Sequence, residues 1–216
     1  MNENPSWIRV DESVYLHCCP DAHQHAIFYA RIYTSGQGYS FSRTNNLISN
    51  FQKGPNAPLN VLPHRNRAIA TFVRELEQFF SLLTDQYSFY IVPTPPSALR
   101  TNPQYDPRVE AVAERASQKF RHIEVASCVE TIREIGKSKA NTEPRSAERI
   151  YDTLRVIPEK LPPDNARTVA LILDDVLTSG AHFEAIRRRL REHLQHTHIG
   201  GVFWAKAVHV DPTDLF

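Results

Sequence analysis

The chain has 216 residues, 41% of them hydrophobic, which is enough for one substantial core and at most a smaller appended unit. Its 25 Lys plus Arg stand against 24 Asp plus Glu, a balance that argues against a nucleic-acid or membrane partner held by charge. Residues 1–6 lack the basic-then-apolar pattern of a secretory signal, no apolar run approaches bilayer length, and the three cysteines form an odd set, so a soluble protein of the reducing cytoplasm is expected.

Two β-leaning runs, 13–19 and 26–33, come first, and a polar passage rich in Gly and Asn follows to Pro58. Residues 1–62 therefore read as an accessory β unit, hood-like in position and available for a partner protein or a second copy, ahead of a core spanning 63–216. From Pro63 to Leu83 the positions Ile69, Phe72, Val73, Leu76, Phe79, Phe80 and Leu83 recur three and four apart, the face of an amphipathic helix.

The chain then alternates. Strands are predicted at 87–93, 123–129, 168–173 and 199–208, with helices near 107–120, 145–154 and 182–193. Strands apolar on both faces and separated by helices predict an α/β fold, a parallel sheet flanked by helices on both sides. Ligands in such sheets bind at the carboxyl ends of strands.

The segment 169–183, Val-Ala-Leu-Ile-Leu-Asp-Asp-Val-Leu-Thr-Ser-Gly-Ala-His-Phe, carries the chemistry. A buried strand delivers Asp174 and Asp175 to its end, and a small hydroxyl-rich turn opens into a helix. Thr178, Ser179, Gly180, Ala181 and His182 suit a phosphate: Gly180 allows close backbone approach, and N–H groups at a helix start are unpaired donors at a positive dipole end. Asp174 and Asp175 can accept from a vicinal ribose diol or help hold hydrated Mg2+. The plainer alternative is a strand-end turn with Thr178 or Ser179 as an N-cap.

This segment resembles the phosphoribosyl pyrophosphate signature of type I phosphoribosyltransferases. The resemblance implies a type I phosphoribosyltransferase-like parallel sheet, ribose hydroxyls on Asp174 and Asp175, the 5-phosphate on residues 178–182, and Mg2+ riding on the pyrophosphate with no direct protein ligand. His182 stands where family members often carry a further hydroxyl. The family's pyrophosphate loop matches residues 94–100, where Pro96, Ser97 and Arg100 are the candidate contacts; taken alone, this is as readily a Pro-stiffened turn. The stretch 92–105 also loosely resembles the competence-associated branch of the family. The family's mobile catalytic loop matches 136–143, with Lys137 and Lys139 as the candidate cations beside Arg100, against the alternative of a solvated surface loop.

The implied activity is transfer of phosphoribose from phosphoribosyl pyrophosphate to a nitrogenous base with release of pyrophosphate. The alternative is a non-catalytic ribose-phosphate or nucleotide sensor, or an effector subunit of a bacterial conflict system acting in antiviral defence. Phe203, Trp204 and Lys206 are candidates for base contacts, although alternation sends Phe203 and Trp204 to opposite faces and core packing is the plainer role. His17, Cys18, Cys19, His23 and His25 form a metal-like cluster whose spacing matches no standard pairing, so an ordinary strand and turn is expected there. Arg187, Arg188, Arg189 and Arg191 read as a solvated helix face that a nucleic acid could touch.

Overall fold

The computed structural model describes residues 5–134 and 146–209. Its backbone is organised by β7 (Thr168–Leu177), whose Ala170, Leu171, Ile172 and Leu173 are all buried, as a strand covered on both faces must be. On one side β7 pairs in parallel with β8 (His198–His209), on the other with β3 (Ser88–Pro93). Beyond β3 lies β4 (Ile123–Val125), and beyond β8 lies β2 (Ile27–Ser35), both parallel. The short β1 (Ile8–Arg9) closes the β2 edge antiparallel, giving the order β1-β2-β8-β7-β3-β4.

Two cores fill the two faces of this sheet. One packs α1 (Arg43–Phe51), α2 (Leu62–Phe80) and α3 (Arg108–Ser117) against Leu171, Leu173 and Trp204; the other packs α5 (Ala181–Arg191), α4 (Ala147–Tyr151) and the 10–27 segment against Ile172 and Phe203. Phe203 and Trp204 thus face opposite cores and are both buried, as strand alternation requires, and neither serves the cleft described below. In α2, Ile69, Phe72, Val73, Leu76, Phe79 and Phe80 are buried on the predicted face. Gly200 in β8 is required by close approach, because a Cβ there would stand 2.5 Å from the carbonyl oxygen of Ala26.

A polar knot crosses the α2 core. Arg31 of β2 donates from Nε and Nη2 to Glu75 of α2 at 2.9 and 2.6 Å, and Trp204 Nε1 donates to the same carboxylate at 2.7 Å. With both ion-pair members buried, this carboxylate ties α2, β2 and β8 together.

The structure revises four expectations. The separate accessory β unit at 1–62 is instead part of the central sheet: β2 runs in register with β8 from Ile27 opposite Gly201 to Ser35 opposite His209. Residues 13–19 form turns, because the Asp11 carboxylate accepts from both Ser13 N and Ser13 Oγ and folds the chain back, while Leu16 and Cys19 are buried. The polar passage before Pro58 holds α1, capped by Ser42 Oγ accepting from Asn45 N and buried through Leu47, Ile48 and Phe51. The strand expected at 123–129 is two: β4, and β5 (Val129–Thr131), which leaves the sheet to pair antiparallel with β6 (Leu154–Val156). Among the described residues, no helix is long and apolar enough to cross a membrane.

Candidate functional site at the carboxyl ends of β3 and β7

The topology fixes where a ligand can enter. From β3 the chain crosses to β4 on one side, and from β7 to β8 on the other, so the connections diverge between β3 and β7 and leave a crevice at their carboxyl ends. An open cleft of about 490 Å³ occupies that position. One lip carries Asp174, Asp175, Thr178 and His182, the other Pro96 and Ser97.

The acids sit inside β7 rather than past its end, since the strand pairs with β8 as far as Leu177. Asp174 is therefore a strand residue, 8% exposed, and Asp175 is half-buried beside it. Asp174 Oδ1 accepts from the backbone N–H of Asp175 at 2.8 Å. Burial, reinforced by the neighbouring Asp175 carboxylate, holds the Asp174 carboxyl well above the usual range. His182 Nδ1 lies 3.9 Å from Asp174 Oδ2, an ion pair whenever both are charged.

The turn after β7 is built on Gly180, which caps α5 at φ 81° and ψ 2°, the left-handed region that glycine enters without a Cβ clash. Gly180 and Ala181 are buried and Ser179 is partly so; they frame the turn, while Thr178 and His182 reach the cleft. The first backbone N–H groups of α5 lie just beyond Gly180, at the positive end of its dipole. The turn is backed by the N-terminal segment, for Cys18 N donates to Ser179 O at 2.8 Å.

On the opposite lip, the loop after β3 is braced from β5. Thr131 Oγ1 donates to Pro96 O at 2.8 Å, and Glu134 Oε1 accepts from Leu99 N at 3.0 Å and Asn102 Nδ2 at 2.6 Å. Thr94 opens this loop: its N–H donates to Leu173 O, while its hydroxyl is buried at the cleft wall with no hydrogen-bond partner among the described residues. A buried hydroxyl in this state has hydrogen-bonding capacity to offer.

Arg100 is not on the cleft. It lies over the Tyr105 ring, 5.8 Å from its centroid, and both border a smaller cavity that shares Thr94, Pro95, Pro96 and Ala98 with the cleft. Lys137 and Lys139 lie outside the described residues. The five-residue His and Cys cluster at 17–25 is also away from the cleft lining.

Three contributors escaped the sequence reading. Gln52, at the end of α1, donates from Nε2 to Asp175 Oδ2 at 2.9 Å. Arg108 lines the cleft, its field favouring the ionised form of Asp174, and is held by Asp106 at 3.3 Å, which Arg65 grips through both carboxylate oxygens at 2.8 and 2.9 Å. Arg133 borders a recess shared with Ser97 and His182. The signal for Gln52 lay in the Ser42 cap and the apolar spacing of α1; the arginines had none, because only the fold brings them to the crevice.

Fold and cleft define an α/β protein with a mostly parallel six-stranded sheet and an acid-and-turn site at its topological switch point. No family model matches the sequence, and no curated protein matches it.

Proposed function

We propose that this chain is a type I phosphoribosyltransferase-like protein that binds phosphoribosyl pyrophosphate and transfers phosphoribose to a nitrogenous base, releasing pyrophosphate. The observation that carries this reading is the pairing, on one lip of a switch-point cleft, of two adjacent carboxylates with a glycine-capped helix start. Carboxylates are acceptors for a vicinal diol, and the α5 N-terminus is a donor set for a phosphate, so one sugar phosphate satisfies both at once. The buried Thr94 hydroxyl and the Ser97 loop face them across the cleft, where the pyrophosphate would lie.

Mg2+ is a hard cation that prefers oxygen ligands and retains waters, and the donors offered here, Asp174 and Asp175, suit it. Bound with the pyrophosphate, it would supply charge neutralisation on the leaving group. The chain's own part is to orient the ribose against Asp174 and Asp175, to hold the phosphate on residues 178–182, and to set Arg108 and Arg133 near the developing charge.

A second reading, a ligand sensor without turnover, is favoured by one observation: Arg100 stacks on Tyr105 away from the cleft, leaving the pyrophosphate side without the guanidinium expected there. A pyrophosphate-release assay across a panel of purine and pyrimidine bases separates the two. Release with at least one base supports the transferase; ribose-phosphate binding with no release supports the sensor.

A further inference from the structure

We propose that Cys19, Asp21 and His25 form a binding site for a zinc-type divalent cation behind the phosphate turn, a site independent of the activity proposed above. The segment is wound by successive turns: Cys19 N donates to Leu16 O, Ala22 N to Cys19 O, and His25 N to Ala22 O across a 3-10 turn at Ala22–Gln24. This winding brings side chains two and six residues apart to one point. Among the described residues, these three form the group whose ligand atoms lie close enough to share an ion, all within 4.8 Å of one another.

The spacing is close to what tetrahedral zinc needs, within reach of a small side-chain adjustment. Bonds of about 2.3 Å to sulfur and about 2.0–2.2 Å to nitrogen and oxygen separate neighbouring donors by about 3.4–3.6 Å. Cys19 Sγ stands 3.5 Å from Asp21 Oδ1 and His25 Nε2 stands 3.3 Å from Asp21 Oδ2, so thiol and imidazole approach the two oxygens of one carboxylate, and the three ligand atoms lie within 4.8 Å of one another. A second observation points the same way: the Nε2 atom of the partly exposed His25 is itself shielded from solvent and, among the described residues, makes no well-formed hydrogen bond, its nearest partner being Asp21 Oδ2 at 3.3 Å. A buried imidazole nitrogen facing a carboxylate and a thiol in this way is the arrangement an interposed cation satisfies.

The surroundings permit it. Arg187 of α5 is the cationic neighbour, and Glu184 grips it through Nε and Nη2 at 2.9 Å each, so its charge is already matched. Phe183 covers His25, with ring centroids 5.8 Å apart. A thiolate, a carboxylate and a neutral imidazole leave a fourth position for water. Of the cluster singled out by sequence, only Cys19 and His25 belong to this group; His17, Cys18 and His23 do not, and Asp21 completes it. Because Cys18 N bonds Ser179 O and the Cys19 Cβ packs against Gly180, an ion here would fasten this segment behind the phosphate turn.

The test is titration of the full chain, stripped with a chelator under reducing conditions, with Co(II) and then Zn(II). The expected result is one saturable site per chain with a thiolate-to-cobalt charge-transfer band, bleached by zinc, and a rise in melting temperature. Cys19→Ser and His25→Gln should each weaken binding at least about 100-fold, more than the loss of an outer-shell partner, while Cys18→Ser and Asp174→Asn bind as wild type. If Cys19→Ser does not fold, His25→Gln decides. No saturable binding, no thiolate band, or undiminished affinity in His25→Gln would overturn the proposal.

Discussion

The side-chain amide of Gln52 donates to Asp175 Oδ2 at 2.9 Å, joining the end of α1 to the acid pair of β7 across 123 positions of sequence. That bond orients Asp175 toward the cleft while its neighbour Asp174 is held by the backbone, so the two acids are fixed by different elements. Gln52→Ala should therefore weaken ribose-phosphate binding by a few-fold without lowering the melting temperature, since the bond is exposed. A titration of this variant with ribose 5-phosphate checks it, and an affinity equal to wild type would remove Gln52 from the site.

Replacing both acids, Asp174→Asn with Asp175→Asn, is predicted to cost at least about 100-fold in affinity for a ribose phosphate, the loss of two charge-assisted hydrogen bonds. The far-ultraviolet circular dichroism should not change. Undiminished affinity in a folded double variant would contradict the assignment of the diol to these carboxylates.

Asp174 also sets a pH dependence. Its pKa is raised, by burial first and by the Asp175 charge second, so folding favours its protonated form. The sign follows: the contribution is fully present below the ordinary Asp value of 3.8 and is lost as pH rises through the folded-state value. Asp174→Asn removes the titration, and the variant should melt above wild type at neutral pH while the difference closes in acid. Melting curves of both proteins across that range test this, and a variant less stable at neutral pH would contradict it. The site would then trade stability for binding.

Gly180→Ala places a Cβ 3.1 Å from the Cys19 Cβ and forces alanine to φ 81°. The backbone strain alone costs about 1–2 kcal/mol. The turn should open, lowering the melting temperature and weakening phosphate binding together. A variant that melts and binds as wild type would show that the turn does not depend on glycine.

In the core, Glu75→Ala leaves the Arg31 guanidinium without its carboxylate and Trp204 Nε1 without its acceptor. The expected loss is about 1–3 kcal/mol, the cost of leaving the buried Trp204 Nε1 donor unsatisfied. Arg31→Met with Glu75→Leu should recover much of it, which chemical denaturation of single and double variants measures.

What the sequence revealed and hid follows from range. The 168–183 stretch was legible because a continuous apolar strand, two acids and a glycine before a helix each declare themselves locally. α2 was legible from its periodicity. The strand character of 26–33 was also visible, but its place in the main sheet was not, because pairing with β8 spans more than 170 residues and leaves no local mark. The 13–19 run misled through its apolar residues, where the Asp11 turn overrides strand propensity. α1 was hidden by its Arg-Thr-Asn-Asn start, poor in helix formers, and with it went Gln52.

The measurement that bears most directly on the central claim is isothermal titration of the purified chain with phosphoribosyl pyrophosphate, with and without Mg2+. Saturable binding at one site per chain, strengthened by Mg2+ and abolished by the paired Asp174→Asn and Asp175→Asn substitutions, is the predicted result. No binding under either condition, or binding indifferent to those substitutions, would contradict a ribose-phosphate site at the carboxyl ends of β3 and β7.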